Sequence, residues 1–329
     1  MNLKGRQVQV WVGLVLSGLA LWLALRQVEI VEVLAAFSKA NYSLIGIAIV
    51  VQLFVLWMIA GRWRLLFETK PTWLSLLRSL LIAQLVNVVL PVRLGMFIRV
   101  YLVGKAEHIS KAIVLGTILV EKTFDSLMFG LLFVLVIPFV APDWFQWSAL
   151  PTSTGLFVVL FPALVLMTLR RHWLLKFVHS LSRYLPWEKR FSFSLRIKKM
   201  LEGISPLQGF SSIVVLWGWT LLITVFGAVV NLVIMRAFDI QVPVIAAFFL
   251  LAVLQMGSRI PAPLGGMGVF QYLCVKALSF FGVDANLALS FGFMLHFVIF
   301  VPGSLLGALG LYQMHESLST LKHEAEEQV

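Results

Sequence analysis

Long uninterrupted apolar runs dominate the hydrophobic pattern of this chain. Six runs are long enough to cross a bilayer as helices, since a spanning helix needs about 20 mostly apolar residues. They lie at 8–25, 44–60, 113–140, 150–169, 213–234 and 287–312. Lys4 and Arg6 precede the first run, which is longer than the apolar part of a signal peptide and is taken as an uncleaved span. The pattern predicts an all-α polytopic membrane protein with about six full transmembrane helices.

Two further apolar stretches, 73–103 and 244–281, are each interrupted near the middle by a related motif. The first contains LPVRLGM at 90–96 and the second IPAPLGG at 260–266. Proline removes a helical N–H and clashes with the preceding turn, and glycine lets the chain reverse. Each motif therefore predicts the tip of a helical hairpin. The alternative is that proline and glycine only kink two ordinary spans.

The amino-acid composition is that of a protein embedded in a lipid bilayer. Hydrophobic residues make up 60% of the 329 residues, charged residues make up 12%, and the mean hydropathy is +0.96, which excludes a water-soluble fold. The net charge of +11 fits cytoplasmic loops held against anionic lipid, so nucleic-acid binding is not expected. The one cysteine excludes an intrachain disulfide. No metal site, cofactor site or catalytic residue is predicted.

Orientation follows from the basic residues of the loops. The segment 170–199 is rich in lysine and arginine, and 141–149 has neither. The first is therefore expected in the cytoplasm and the second outside. Counting spans from there places both termini in the cytoplasm of a multi-pass protein of the cell membrane. Stretch 73–103 then starts and ends on the inner side, and stretch 244–281 on the outer side, so both hairpins should be re-entrant.

The two halves align when the sequence is shifted by 170 positions. Pro91, Leu94 and Gly95 then fall on Pro261, Leu264 and Gly265. One membrane domain over 1–329 is expected, with 1–141 and 150–312 as repeats of inverted topology and 313–329 as a short cytoplasmic tail. Secondary transporters use inverted repeats with broken helices to build a central site that can face either side.

Three arginines lie beside the two predicted tips: Arg93, Arg99 and Arg259. Guanidinium groups, together with backbone N–H groups around Gly95, Gly265 and Gly266, would suit an anion such as a lipid phosphate. The alternative is that the arginines reach an interface or pair with carboxylates.

The run EKTFD at 121–125 places two carboxylates inside the span that follows the first hairpin. Glu121 and Asp125 are four residues apart and share a helix face, with Lys122 turned about 100° away. An internal ion pair, such as Glu121 with Arg99, is the favoured interpretation, and a proton-carrying carboxylate coupled to transport is the alternative. Gln84 and Asn87 either line a headgroup path or form interhelical hydrogen bonds.

These motifs together resemble one family. Asn87, Pro91, Gly95 and Arg99 in the pattern N-x-x-x-P-x-x-x-G-x-x-x-R, then E-K-x-x-D at 121–125 and P-x-P-x-G-G-x-G at 261–268, are similar to the lysylphosphatidylglycerol synthase/flippase transmembrane family. The resemblance implies a flippase-like integral membrane fold that moves phospholipids or polyprenyl-phosphate-linked lipids between leaflets. It also implies that Asn87, Arg99, Glu121, Asp125 and the loop 261–268 are its polar motif positions.

Two departures accompany the resemblance. Family members often have acids where this chain has Met96 and Gln271, so the roles of those acids do not carry over. About 17 residues follow the last predicted span, so we expect no soluble aminoacyl-transferase domain and no synthesis of aminoacylated lipid by this chain alone.

Three functions follow as hypotheses. The first is a lipid translocase, not an enzyme, whose partners are an anionic lipid and the membrane. The second is an accessory or scaffold subunit beside the enzymes of a lipid-linked glycan pathway. The third is a membrane-embedded enzyme acting on a lipid phosphate, which lacks a visible metal pair or clustered acid–base residues. None of these residues identifies the lipid, the direction or energy source of transport, or the oligomeric state.

Overall fold

A computed structural model describes residues 15, 17–26, 28–90, 94–140, 210–257 and 264–314. These parts of the chain are helical with connecting turns and contain no β-strand. Predictions that fall elsewhere lie outside the described residues, namely the span 150–169, the tail from 315 onward, Arg93, Arg259 and the prolines at 91 and 261.

The helices are numbered in chain order. A first helical segment, α1, covers 17–25. The others are α2 Ile30–Lys39, α3 Tyr42–Arg64, α4 Trp73–Val89, α5 Gly95–Ala106, α6 Lys111–Val140, α7 Phe210–Ala237, α8 Ile245–Gly257, α9 Val269–Ser279 and α10 Ala285–Gln313. A short 3₁₀ turn, Leu264–Gly266, lies between α8 and α9.

Four helices among the described residues are long and apolar enough to cross a membrane, as four of the predicted spans require. They are Tyr42–Arg64, Lys111–Val140, Ser211–Ala237 and Ala285–Gln313. Two of them begin at a side-chain cap. Asn41 accepts hydrogen bonds from the N–H groups of Ser43 and Leu44, and Asp284 accepts from those of Asn286 and Leu287. These caps satisfy N–H groups that the first helical turn cannot pair.

The first interrupted stretch forms two short helices, α4 and α5, that pack against each other. The Glu107 carboxylate, just after α5, accepts hydrogen bonds from the hydroxyl and N–H of Thr72, just before α4, at 2.7 and 3.3 Å. The start of one helix and the end of the other therefore meet. We call α4, α5 and their link the first hairpin.

The second interrupted stretch has the same form. Helices α8 and α9 pack together, and Phe249 near the start of α8 makes edge-on contacts with Phe280 and Phe281 just after α9. We call α8, the 3₁₀ turn and α9 the second hairpin. The breaks in both stretches lie at the proline–glycine motifs, as the sequence predicts.

The hairpins pack on helices from opposite halves of the chain. Helix α4 of the first hairpin lies along α10, and α8 of the second lies along α6, while α3 lies against α7. The contact of α4 with α10 is close, because a Cβ on Gly307 would overlap the carbonyl of Leu81. The tip of the second hairpin reaches the first, since a Cβ on Gly265 would lie 3.5 Å from Val88 Cγ2.

Candidate intramembrane ionic site

Arg99 and Glu121 form a buried ion pair between the first hairpin and a spanning helix. Arg99 on α5 donates from both terminal nitrogens to the two carboxylate oxygens of Glu121 on α6, at 3.1 and 2.6 Å. Arg99 is 5% exposed and Glu121 is 2% exposed. Two parallel N–H···O bonds are the strongest geometry that these groups offer. The internal pair anticipated from sequence is present.

An aromatic platform holds the guanidinium in place. The Arg99 Cζ lies 3.9 Å from the centre of the Trp63 ring, and Trp63 Nε1 donates to Thr117 Oγ1 at 2.9 Å. Trp63 lies in the last turn of α3, and Thr117 lies one turn before Glu121 on α6. A desolvated guanidinium stacked on tryptophan gains about 2 kcal/mol. Three helices therefore converge on one arginine side chain.

A second arginine, Arg62, joins the same site and was not among the residues singled out from sequence. Its Nη1 lies 2.7 Å from Asp125 Oδ1 and donates to Thr220 Oγ1 on α7 at 3.0 Å. Arg62 is 2% exposed. Arg62 lies in the last turn of α3, the end of a span, where lysine and arginine usually mark an interface.

Lys122 is the third cation of the site. Its Nζ lies 3.4 Å from Glu121 Oε1 and 3.4 Å from Asp125 Oδ2. Its Cα is turned away from the two acids, and the long stem bends back to bring the ammonium between them. The Lys122 side chain is 58% exposed, against 6% for Arg99 and 3% for Arg62. Lys122 thus lies on the exposed side of the site.

We call these five residues the ionic network: Arg62, Arg99, Glu121, Lys122 and Asp125. Three cations against two carboxylates leave one excess positive charge. Arg62 Nε and Arg99 Nε are also buried without a hydrogen-bond partner in the described part of the protein. A buried donor without a partner costs about 1–3 kcal/mol. In charge and in donors, the network is suited to an additional anion.

Asn87 and Gly95 build the turn of the first hairpin beside this network. Asn87 Oδ1 accepts from the N–H of Gly95 at 2.9 Å, so it caps α5 across the proline break. A Cβ on Gly95 would lie 2.7 Å from the Ala83 carbonyl oxygen and would also overlap Asn87. Glycine is therefore required for α5 to start this close to α4. Both residues stay predictions as lipid contacts.

Gln84 forms the interhelical hydrogen bond that was one of its two interpretations. Its Nε2 donates to the carbonyls of Ile299 and Phe300 on α10, at 2.6 and 3.2 Å. Pro302 interrupts the hydrogen bonding of that helix, which leaves carbonyls in the preceding turn open to outside donors. Gln84 therefore ties the first hairpin to the turn of the last helix that precedes Pro302.

The tip of the second hairpin depends on glycine and on one amide. Gly265, Gly266 and Gly268 have φ of 69°, 92° and 90°, a region that other residues rarely adopt. Gln271 Oε1 accepts from the N–H of Gly268 at 2.7 Å, so the position where relatives often have an acid serves here as a cap of α9. Any role of Gly265 and Gly266 in binding lipid stays a prediction.

Charged chemistry is concentrated near the first hairpin. Shifting the network by 170 positions places Val269, Phe291 and Leu295 opposite Arg99, Glu121 and Asp125. Among the described residues there is no group of three or more histidine, cysteine, aspartate or glutamate side chains that could hold a metal ion.

The sequence comparisons agree with the motifs. A family model of the lysylphosphatidylglycerol synthase transmembrane region matches residues 10–307, nearly the whole chain. No curated protein and no solved structure shows a significant match.

Proposed function

This chain belongs to the family of the lysylphosphatidylglycerol synthase transmembrane region, and on that premise we propose that it is a lipid translocase and not an enzyme. It moves a phospholipid or polyprenyl-phosphate-linked lipid with an anionic headgroup between the leaflets of the cell membrane. The observation that carries the proposal is the ionic network, a hydrogen-bonded cluster among apolar helices that is buried except on the side of Lys122 and Asp125 and retains one excess positive charge.

The network lies among apolar helices, where charged side chains are costly and usually serve a function. Insertion of one charged residue at the centre of a spanning helix costs about 2.5–3.5 kcal/mol. Glu121, Lys122 and Asp125 lie within the spanning helix α6, and Arg99 and Arg62 meet them from α5 and from the last turn of α3. Four charges are enough to make two neutral pairs, so structural pairing accounts for Arg99 with Glu121 and Arg62 with Asp125. The fifth charge, on Lys122, is not needed to neutralise either pair.

The packing of the helices supports alternating access. Hairpin α4–α5 lies on the last helix, and hairpin α8–α9 lies on α6, while α3 and α7 face each other. Two halves related by a twofold axis in the membrane plane would exchange contacts in this way. Re-entrant hairpins from opposite faces, with tips that meet between them, would give the headgroup a site reachable from each side in turn.

Arg99 holds the anion indirectly in this proposal. Both of its terminal nitrogens are engaged by Glu121, so a phosphate could reach them only by displacing a carboxylate. The proposed headgroup site therefore combines the free charge of the network with Arg93 and Arg259 near the tips. Backbone N–H groups at the two breaks complete it.

Reconstitution of the purified protein tests the proposal. Vesicles with a fluorescent anionic phospholipid in both leaflets receive a membrane-impermeant quencher, and all lipid is then analysed by mass spectrometry. We expect the protected lipid to become accessible with its mass unchanged. A chemically altered lipid would indicate a membrane-embedded enzyme. Neither movement nor alteration of any anionic lipid would favour an accessory subunit and contradict the proposal.

A further inference from the structure

Lys122 shares one face of α6 with Lys111, the residue at the cytoplasmic end of that helix by the predicted orientation. Successive residues of a helix are 100° apart, so Lys111 and Lys122, separated by 11 positions, differ by only about 20° around the axis. They are about 16 Å apart along it. Both lysines are exposed, whereas Val114 and Ile118 between them on this face are buried, so the lysines form two separate exposed sites.

The cytoplasmic end of α6 carries a second group of cations. Lys111 Nζ lies 5.1 Å from the centre of the Tyr101 ring, and Lys105 Nζ lies 5.5 Å from the same ring. Two lysines over one tyrosine at the expected inner face form a positive patch at headgroup level. This patch would hold an anionic lipid at the inner face, on the same helix as Lys122.

Lys122 is held more loosely than the other cations of the network. Its contacts with Glu121 and Asp125 are both 3.4 Å, whereas the arginines contact these acids at 2.6 and 2.7 Å. Each acid keeps its arginine if Lys122 turns away. The lysine can therefore release its contacts to bind another anion without leaving a buried carboxylate unpaired.

The position of Lys122 along α6 shows where its exposed ammonium group can lie. A lysine stem of four carbons is too short to bring its ammonium across the roughly 16 Å to the level of Lys111. The exposed ammonium therefore stays within the span, next to lipid or to a headgroup. A net-negative lipid whose tails remain in the hydrocarbon can present its phosphate at this height.

We propose that Lys122, the exposed and loosely held cation of the ionic network, is the residue that contacts the lipid phosphate during transport. The inference rests on the proposed function and names the headgroup contact within it. It also predicts selectivity. Lipids with a net negative charge should bind and move faster than zwitterionic lipids, because only Lys122 supplies charge that the network does not neutralise internally.

Two variants and one control test this assignment. Lys122→Gln removes the charge and keeps most of the stem, and Lys122→Arg keeps the charge. Lys276→Gln is the matched control, since Lys276 is an exposed lysine in the second hairpin whose Nζ lies 5.9 Å from the centre of the Tyr272 ring. Thermal melting should be similar in all four proteins, because Lys122 is exposed and both acids retain an arginine.

The measurements are binding and flux. Binding is the phosphatidylglycerol retained by the purified protein in native mass spectrometry, and flux compares fluorescent phosphatidylglycerol with phosphatidylcholine in vesicles. For Lys122→Gln we expect about tenfold weaker phosphatidylglycerol binding and flux. The loss for phosphatidylcholine should be smaller, because its choline group offsets the charge of the phosphate. Lys122→Arg should restore most of the loss, and Lys276→Gln should behave as wild type.

The outcomes separate the two proposals. If wild type retains phosphatidylglycerol but moves none, translocation fails and the Lys122 contact is judged by binding alone. If wild type and Lys122→Gln bind phosphatidylglycerol equally, or wild type binds none, the Lys122 assignment is overturned even where flux is present. Displacement of the lipid by millimolar inorganic phosphate would overturn a lipid-headgroup site in favour of a site for free phosphate.

Discussion

At the scale of single residues, the buried arginines and carboxylates of the ionic network are paired with one another. Arg99 and Glu121 are buried and bonded twice, and Arg62 pairs with Asp125. Removing one partner of a buried pair costs more than the pair contributes, because the other charge stays buried and unpaired.

Arg99→Ala should therefore destabilise the protein by about 3–5 kcal/mol, as breaking other buried pairs does. The double variant Arg99→Ala with Glu121→Gln should recover much of that loss, since no uncompensated carboxylate remains. Thermal melting of the purified proteins measures both. The control is Arg236→Ala, an exposed arginine bonded to the neutral Gln241, which should melt close to wild type. A single variant as stable as wild type would contradict the pairing.

Pairing of this kind is only partly readable from sequence. Glu121 and Asp125 share a helix face at a depth where charge is costly, so a partner was expected, and Arg99 was the named candidate. Arg62 was missed because it occupies the last turn of a span, where most basic residues face water. Its burial depends on α7, which approaches from 158 positions away in sequence and brings Thr220 to it.

At the scale of elements, each hairpin depends on how closely its two arms can approach. Gly95 is the tightest point of the first hairpin, between the Ala83 carbonyl and the Asn87 side chain. The sequence predicts the break from proline and glycine. It does not predict the Asn87 cap, which exists only after the chain has reversed and brought residue 95 back beside residue 87.

Gly95→Ala should cost about 1–3 kcal/mol, the usual effect of adding atoms to a packed site. The matched controls are Gly46→Ala and Gly218→Ala in spanning helices, where a Cβ would meet nothing within 4 Å. These should be neutral or stabilising, since alanine favours helix by up to about 1 kcal/mol over glycine. Melting temperatures compare the three. Equal shifts in all of them would mean that the close approach of α4 and α5 contributes nothing.

At the scale of the whole molecule, two similar halves contribute different chemistry. The hairpins have the same form, yet the positions equivalent to the ionic network in the second half are apolar. The sequence predicts a repeat because Pro91 and Pro261 stand in equivalent motifs. The arrangement of the two halves around each other is set by contacts such as Gly307 on Leu81, which no short motif records.

The proposed lipid translocation uses hairpins that enter the bilayer from opposite faces, and the side from which their ends are accessible tests this directly. Single cysteines at 72, 107, 244 and 282 are labelled in cells with an impermeant thiol reagent applied from either side. The native Cys274 is buried, so background labelling should be low. We predict that 72 and 107 react only from the cytoplasm, and 244 and 282 only from outside. Reaction of 72 and 107 from different sides would contradict the account.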